Sequence, residues 1–219
     1  MTSHNELQDP LKPLAQIYEP DDRQESFAST LEDRHAALQE IALNRSTPLD
    51  VRQLFETAKN LSLYSWFVYR FHQVSELVAF SALEMALRER YQTEKPTDEK
   101  SKKNRPPSLY DLMQHAKKEK WITNEGFPDF YEVARRNAEI KKMMDKSKKH
   151  NFNKEPYMSI DEPSEEEISE VLAILDRVKA IAASAHKIRN DLAHGSKTLH
   201  PNSISTLRIN AVLINQIYP

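Results

Sequence analysis

Residues 63–91 read LYSWFVYRFHQVSELVAFSALEMALRERY, a run without proline or glycine. Apolar side chains fall on more than one face: Trp66, Phe67, Phe71, Val74, Leu77, Val78, Phe80, Leu83 and Leu87. A helix that is apolar nearly all round is buried by others, so the run predicts a long central helix over 63–92 in an all-α bundle of about six or seven helices. One residue is out of place. Glu84 lies in the row Leu77, Phe80, Leu87, Tyr91, at the spacing of a single helix face. A carboxylate there needs a cationic or hydrogen-bonding partner, or it must reach the edge of the face.

Composition agrees with helices. The chain of 219 residues has 2 glycines, 12 prolines and no cysteine. So few glycines leave few left-handed turns for an all-β fold. Without cysteine there are no disulfides, thiol nucleophiles or cysteine zinc sites. No basic-then-apolar leader opens the chain, and no apolar run reaches the roughly 20 residues of a spanning helix. A soluble, cytoplasmic protein with no membrane partner is expected.

On either side of the central run the punctuation is regular. Pro10, Pro13 and Pro20 mark residues 1–20 as a flexible tail ahead of a single domain over 21–219. Asp21 or Asp22 caps a first helix that reaches about Asn44, and Thr47-Pro48-Leu49-Asp50 opens a second, with a break near 60–62. After a Lys-rich linker, Ser108 with Asp111 starts another helix. Gly126 and Pro128 mark a turn, and a basic helix follows over about 129–149. Ser164 and Glu167 form a capping box for one late helix over 164–194. Pro201 and Asn202 open the last.

Charge is uneven. Residues 1–94 carry a net −6, residues 95–154 a net +7 and residues 155–219 a net −3. The basic insertion at about 95–163, with Arg135, Arg136, Lys141 and Lys142 on its helix, is a candidate surface for an RNA backbone. The competing reading is a solvated helix face beside a charged loop.

The late helix ends in Ile188-Arg189-Asn190-Asp191-Leu192-Ala193-His194-Gly195. Histidine exchanges a proton near neutral pH, and arginine matches phosphate oxygens with a planar fork. RNA carries its own nucleophile, the 2′-hydroxyl, so Arg189 and His194 are a minimal set for cleaving it without metal or cofactor. They are a poor set for a metal, because only His194 is a ligand. Five residues along an ideal helix turn through about 500°, which leaves the two side chains about 140° apart. Convergence needs a local distortion or a second chain across a two-fold axis. The structural alternative is an ordinary helix end, with Gly195 as its left-handed cap and Arg189 neutralising Glu84 or Asp176.

The stretch Arg189 to Gly195 resembles the R-x4–6-H motif of the HEPN superfamily (higher eukaryote and prokaryote nucleotide-binding domains). Val74 to Arg88 resembles that family's long early helix, and the likeness extends over about 48–217. It implies a metal-independent endoribonuclease, in antiviral defence or a toxin–antitoxin system, that leaves a 2′,3′-cyclic phosphate. It implies a homodimer whose two motifs share a cleft, and an antitoxin or other protein partner. Arg189 would hold the scissile phosphate, His194 would transfer a proton and Asn190 would orient the pair. Glu84, as partner of Arg189, comes from the apolar row. Some members keep the fold without the activity, so a non-catalytic helical module that binds nucleic acid or protein is the alternative.

Overall fold

The computed structural model describes residues 9–26, 29–94, 106–151, 156–159, 161–193 and 199–219, and all the regular structure in them is helical. Two short 3-10 helices, Leu14–Gln16 and Asp22–Ser26, precede eight α-helices. These are α1 (Leu31–Gln39), α2 (Leu49–Tyr64), α3 (Phe71–Glu94), α4 (Leu109–Lys118), α5 (Phe130–Lys149), α6 (Glu165–Ile174), α7 (Arg177–Ala193) and α8 (Ser203–Ile217). The chain is therefore all-α, as its composition predicts. No helix among the described residues is long and apolar enough to cross a membrane.

Residue contacts gather the chain into two compact units. The first is Met1–Ala86 with Arg189–Ala211, and the second is Leu87–Ile188 with Val212–Pro219. In the first unit α1 packs on α2. Val51, Phe55 and Ala58 of α2, Ala79, Ala82 and Leu83 of α3, and Leu207 of α8 are fully buried. In the second unit α5 packs on α6 through Ala134, Ala138, Ile168 and Val171, with Leu172 and Leu175 against them. The small alanines bring the two helices close.

Several boundaries differ from the sequence reading, among them the end of the first helix, which stops at Gln39 and not near Asn44. The first helix begins not at Asp21 or Asp22 but at Leu31. Thr30 accepts from the Asp33 backbone while the Asp33 carboxylate accepts from the Thr30 backbone, a closed capping box. Near 60–62 there is no break, because α2 continues to Tyr64. The chain turns over 65–70 instead, so the central helix starts at Phe71 rather than residue 63. Trp66, Phe67, Val68 and Tyr69 are weak helix formers, and the turn has partners of its own. Ser65 donates to the Ser62 carbonyl at 2.7 Å, the Trp66 carbonyl accepts from Asp21 N at 2.9 Å, and Asp21 Oδ2 accepts from Tyr69 N at 3.3 Å. Within the stretch read as a tail, Asp9 accepts from Arg23 and from Arg70 Nε, the latter at 2.6 Å.

The late helix is two helices. Leu175 leaves the helical conformation, and Asp176 caps α7 by accepting from Lys179 N at 3.0 Å. Asn124 closes the gap. Its Nδ2 donates to the Leu175 carbonyl at 3.3 Å, and its Oδ1 accepts from Val178 N at 3.0 Å. Nearby, Gly126 leaves room for Gln216, whose Oε1 would lie 2.1 Å from a β-carbon there and accepts instead from Thr123 N at 2.9 Å. Replacing Asn124 with Ala strips two backbone groups at the α6–α7 break of their partners. A loss of about 1–2 kcal/mol is expected, read from urea unfolding of the purified chain. A loss within ~0.3 kcal/mol would mean that the break is set by Asp176 alone.

Candidate functional site

Arg189 lies on α7 four residues before its last residue, Ala193, and belongs to the first unit. Its Nη2 faces Glu84 Oε2 at 3.4 Å. That separation is at the long edge of a hydrogen bond. The Glu84 side chain is 15% exposed, whereas Arg189 keeps 37% of its side chain in solvent. Its Nε is buried without a hydrogen-bond partner. The guanidinium is thus steadied by one carboxylate and not used up by it. Asn190 follows, half-buried. His194 lies outside the described residues. Asp176, the other acid considered for Arg189, is occupied by Lys117, which with the Lys179 amide holds its carboxyl below the usual range.

The cations assigned to an RNA backbone lie on α5, in the second unit. Arg135 is held between Glu132 and Glu139, at 3.1 and 2.5 Å. Lys142 donates to Glu167 at 3.0 Å and to the Glu162 carbonyl at 3.1 Å, and Lys141 faces Glu170 at 3.4 Å. Arg136 is exposed. Asp129 is held below the ordinary carboxylate range first by Arg177 and also by Arg136. Three of the four named cations therefore meet carboxylates of their own chain.

Sequence reasoning missed a buried polar cluster in the first unit. Arg34 is 8% exposed, and His72, Ser65 and Ser203 are at most 1% exposed. Arg34 Nη1 donates to Ser65 Oγ at 2.6 Å and to the Ser62 carbonyl at 3.2 Å, and it lies 3.4 Å from His72 Nε2. Ser65 Oγ also lies 3.2 Å from His72 Nε2. His72 Nδ1 is hydrogen-bonded to Ser203 Oγ at 2.7 Å, and Ser203 Oγ to Ser62 Oγ at 2.7 Å. One turn further along α3, Glu76 is 1% exposed. Its Oε2 accepts from Thr206 Oγ1 at 3.1 Å, and its Oε1 stands 3.3 Å from His200 Nδ1. Burial raises the Glu76 carboxyl, and His200 and the Thr206 hydrogen bond work against that rise. The signal lay in the sequence as His72 and Glu76 at i, i+4 on α3, with Ser203 and Thr206 at i, i+3 on α8.

No group of three or more metal-ligating side chains occurs among the described residues. No protein-family model, no curated protein and no solved structure matches the chain.

Two measurements follow from this geometry. Burial, and then the facing Arg34, push the His72 imidazole down to about 4. The unfolded chain protonates His72 near 6.5 and the folded chain does not, so the stability His72 supports is complete above pH 6.5 and lost as pH falls toward 4. The loss is about 3 kcal/mol. Glu76 titrates in the opposite sense, so the comparison is with His72→Gln: the stability difference between wild type and variant should shrink by that amount between pH 7 and 4. A difference independent of pH would show that His72 takes up its proton as readily in the folded chain as in the unfolded one. Arg189→Ala should cost about 1 kcal/mol or less in urea unfolding, because its ion pair is long and more than a third exposed on the Arg side. A cost of about 3–5 kcal/mol would make Arg189 a buried structural pair.

Proposed function

We propose that the chain is a metal-independent endoribonuclease of HEPN type, acting as a homodimer on RNA. The observation that carries this reading is Arg189. It stands near the end of α7, steadied by Glu84 at 3.4 Å yet still over a third exposed. A fixed but partly exposed guanidinium is suited to a phosphate, whose charge grows as the 2′-oxygen attacks. In the reaction the 2′-hydroxyl loses its proton and its oxygen bonds to phosphorus. The bond from phosphorus to the 5′-oxygen breaks, and that oxygen gains a proton. The products are a 2′,3′-cyclic phosphate and a 5′-hydroxyl. His194 moves the proton and Asn190 orients the motif. The motif's angular divergence on a regular helix favours a second copy as the source of the facing pair.

The α5 ion pairs favour a second reading, a non-catalytic helical module with a protein partner. Lys141, Lys142 and Arg135 already face carboxylates, so α5 offers a polyanion less charge than its sequence suggests.

The test is purified protein with single-stranded RNA in the presence of a chelator. Cleavage to cyclic-phosphate ends is expected, lowered roughly 100-fold or more by Arg189→Ala and by His194→Ala. Absence of both cleavage and RNA binding would favour the protein-binding module, and binding without cleavage would leave a nucleic-acid module without catalysis. Cleavage that survives both substitutions would remove the motif from the chemistry.

A further inference from the structure

The polar rows of α3 and α8 meet in two rungs. His72 with Ser203 is the inner one, and both are at most 1% exposed. Glu76 with Thr206 and His200 is the outer one, and there the cluster reaches solvent: the His200 side chain is 33% exposed. Its Nδ1 is nevertheless buried and faces Glu76 Oε1, and neither atom makes a hydrogen bond among the described residues. Two buried polar atoms 3.3 Å apart interact through charge, and a carboxylate favours a proton on the ring nitrogen that faces it. A buried carboxylate at Nδ1 fixes the proton there, as orienting carboxylates do in catalytic triads and behind metal-bound histidines. The outward edge of the ring then carries the Nε2 lone pair, a hydrogen-bond acceptor in a set position.

Glu76 and Glu84 are eight residues apart on α3, about 12 Å along the helix. His200 therefore addresses a different part of a bound strand from the phosphate at Arg189. A fixed acceptor suits a hydroxyl donor, and the ribose 2′-hydroxyl is the group that separates RNA from DNA. We propose that His200, positioned by Glu76 and Thr206, is a ribose-reading residue that accepts a hydrogen bond from the 2′-hydroxyl of a nucleotide flanking the cleavage position. The assignment rests on the nuclease reading for its substrate. It makes His200 a specificity determinant, with Glu76 as its positioning residue.

The experiment has two arms. Long-range nitrogen–proton NMR of the full chain reads the His200 tautomer. Nδ1–H is expected in the wild type, with loss of that preference in Glu76→Leu, while Glu76→Gln keeps an acceptor carbonyl and retains it. A wild-type Nε2–H tautomer overturns the proposal. In the second arm, single 2′-deoxy substitutions are scanned through an RNA oligonucleotide and kcat/KM is measured. Besides the scissile nucleotide, where the deoxy sugar abolishes cleavage, one flanking position should lose roughly tenfold in the wild type. That loss should vanish in His200→Ala and persist in His200→Gln. Cleavage with no flanking 2′-hydroxyl effect, or with an effect that His200→Ala leaves intact, sinks the ribose reading and spares the nuclease. Absence of any RNA cleavage or binding sinks both.

Discussion

The first unit depends on one buried donor–acceptor chain, from Arg34 through His72 and Ser203 to Ser62. A guanidinium 8% exposed is costly to bury, and no carboxylate among the described residues neutralises it directly. It is accommodated by acceptors: the Ser62 carbonyl, Ser65 Oγ, the Gln24 side-chain oxygen at 3.3 Å and the face of Trp66 at 5.8 Å. The arrangement holds only while His72 is neutral, since an imidazolium would set two cations against each other without solvent between them. The lowered His72 titration and the polar turn after α2 are two consequences of burying the same charge.

Directional bonds do something here that apolar packing does less well. Leucines and alanines slide past one another at small cost, whereas a bond of 2.7 Å between His72 and Ser203 admits one register of α8 on α3. That register then decides what stands next. With Ser203 opposite His72, Thr206 falls opposite Glu76, and His200, three residues before α8, is brought to the same carboxylate. The outer histidine is placed by the inner one. The Arg189–Glu84 contact is a further step along α3, so the same helix presents its acids in sequence to Thr206, His200 and Arg189.

Fold class and many helix starts were legible in the sequence because their causes are local. Ser108 with Asp111 and Ser164 with Glu167 close their capping boxes as spacing alone implies. The unread boundaries have causes that spacing does not carry. Apolar periodicity cannot separate Trp66, Phe67 and Tyr69 in a turn from the same residues in a helix, because it measures burial and not conformational preference. The break at Leu175 is sealed by Asn124, fifty-one residues upstream of that carbonyl. The polar cluster joins His72 to Ser203 across 131 residues, and each member alone reads as an ordinary polar residue in an amphipathic helix. Glu84 could be singled out because a carboxylate in an apolar row is conspicuous. Glu76, more deeply buried, sits between Ser75 and Leu77, and only its i, i+4 spacing from His72 marks it.

Net charge misleads for a related reason. The +7 of residues 95–154 suggests an open cationic surface, but a field is set by where the counter-charges stand. Glu165, Glu166 and Glu167 crowd the first turn of α6, favoured there by the helix dipole, and α5 packs against that helix. Lys142 and Lys141 are thereby drawn to Glu167 and Glu170, and Arg135 closes on two glutamates of its own helix. Exposed ion pairs of this kind are weak, so a polyanion can displace them, at the expense of releasing carboxylates beside its own phosphates. The net gain per lysine is therefore smaller than for an unpaired one. The last turn of α5 follows the same rule: Lys146 donates to the Ser159 carbonyl at 2.6 Å and Lys148 faces Asp145 at 3.3 Å, so the density of lysines there also overstates the charge left for a polyanion.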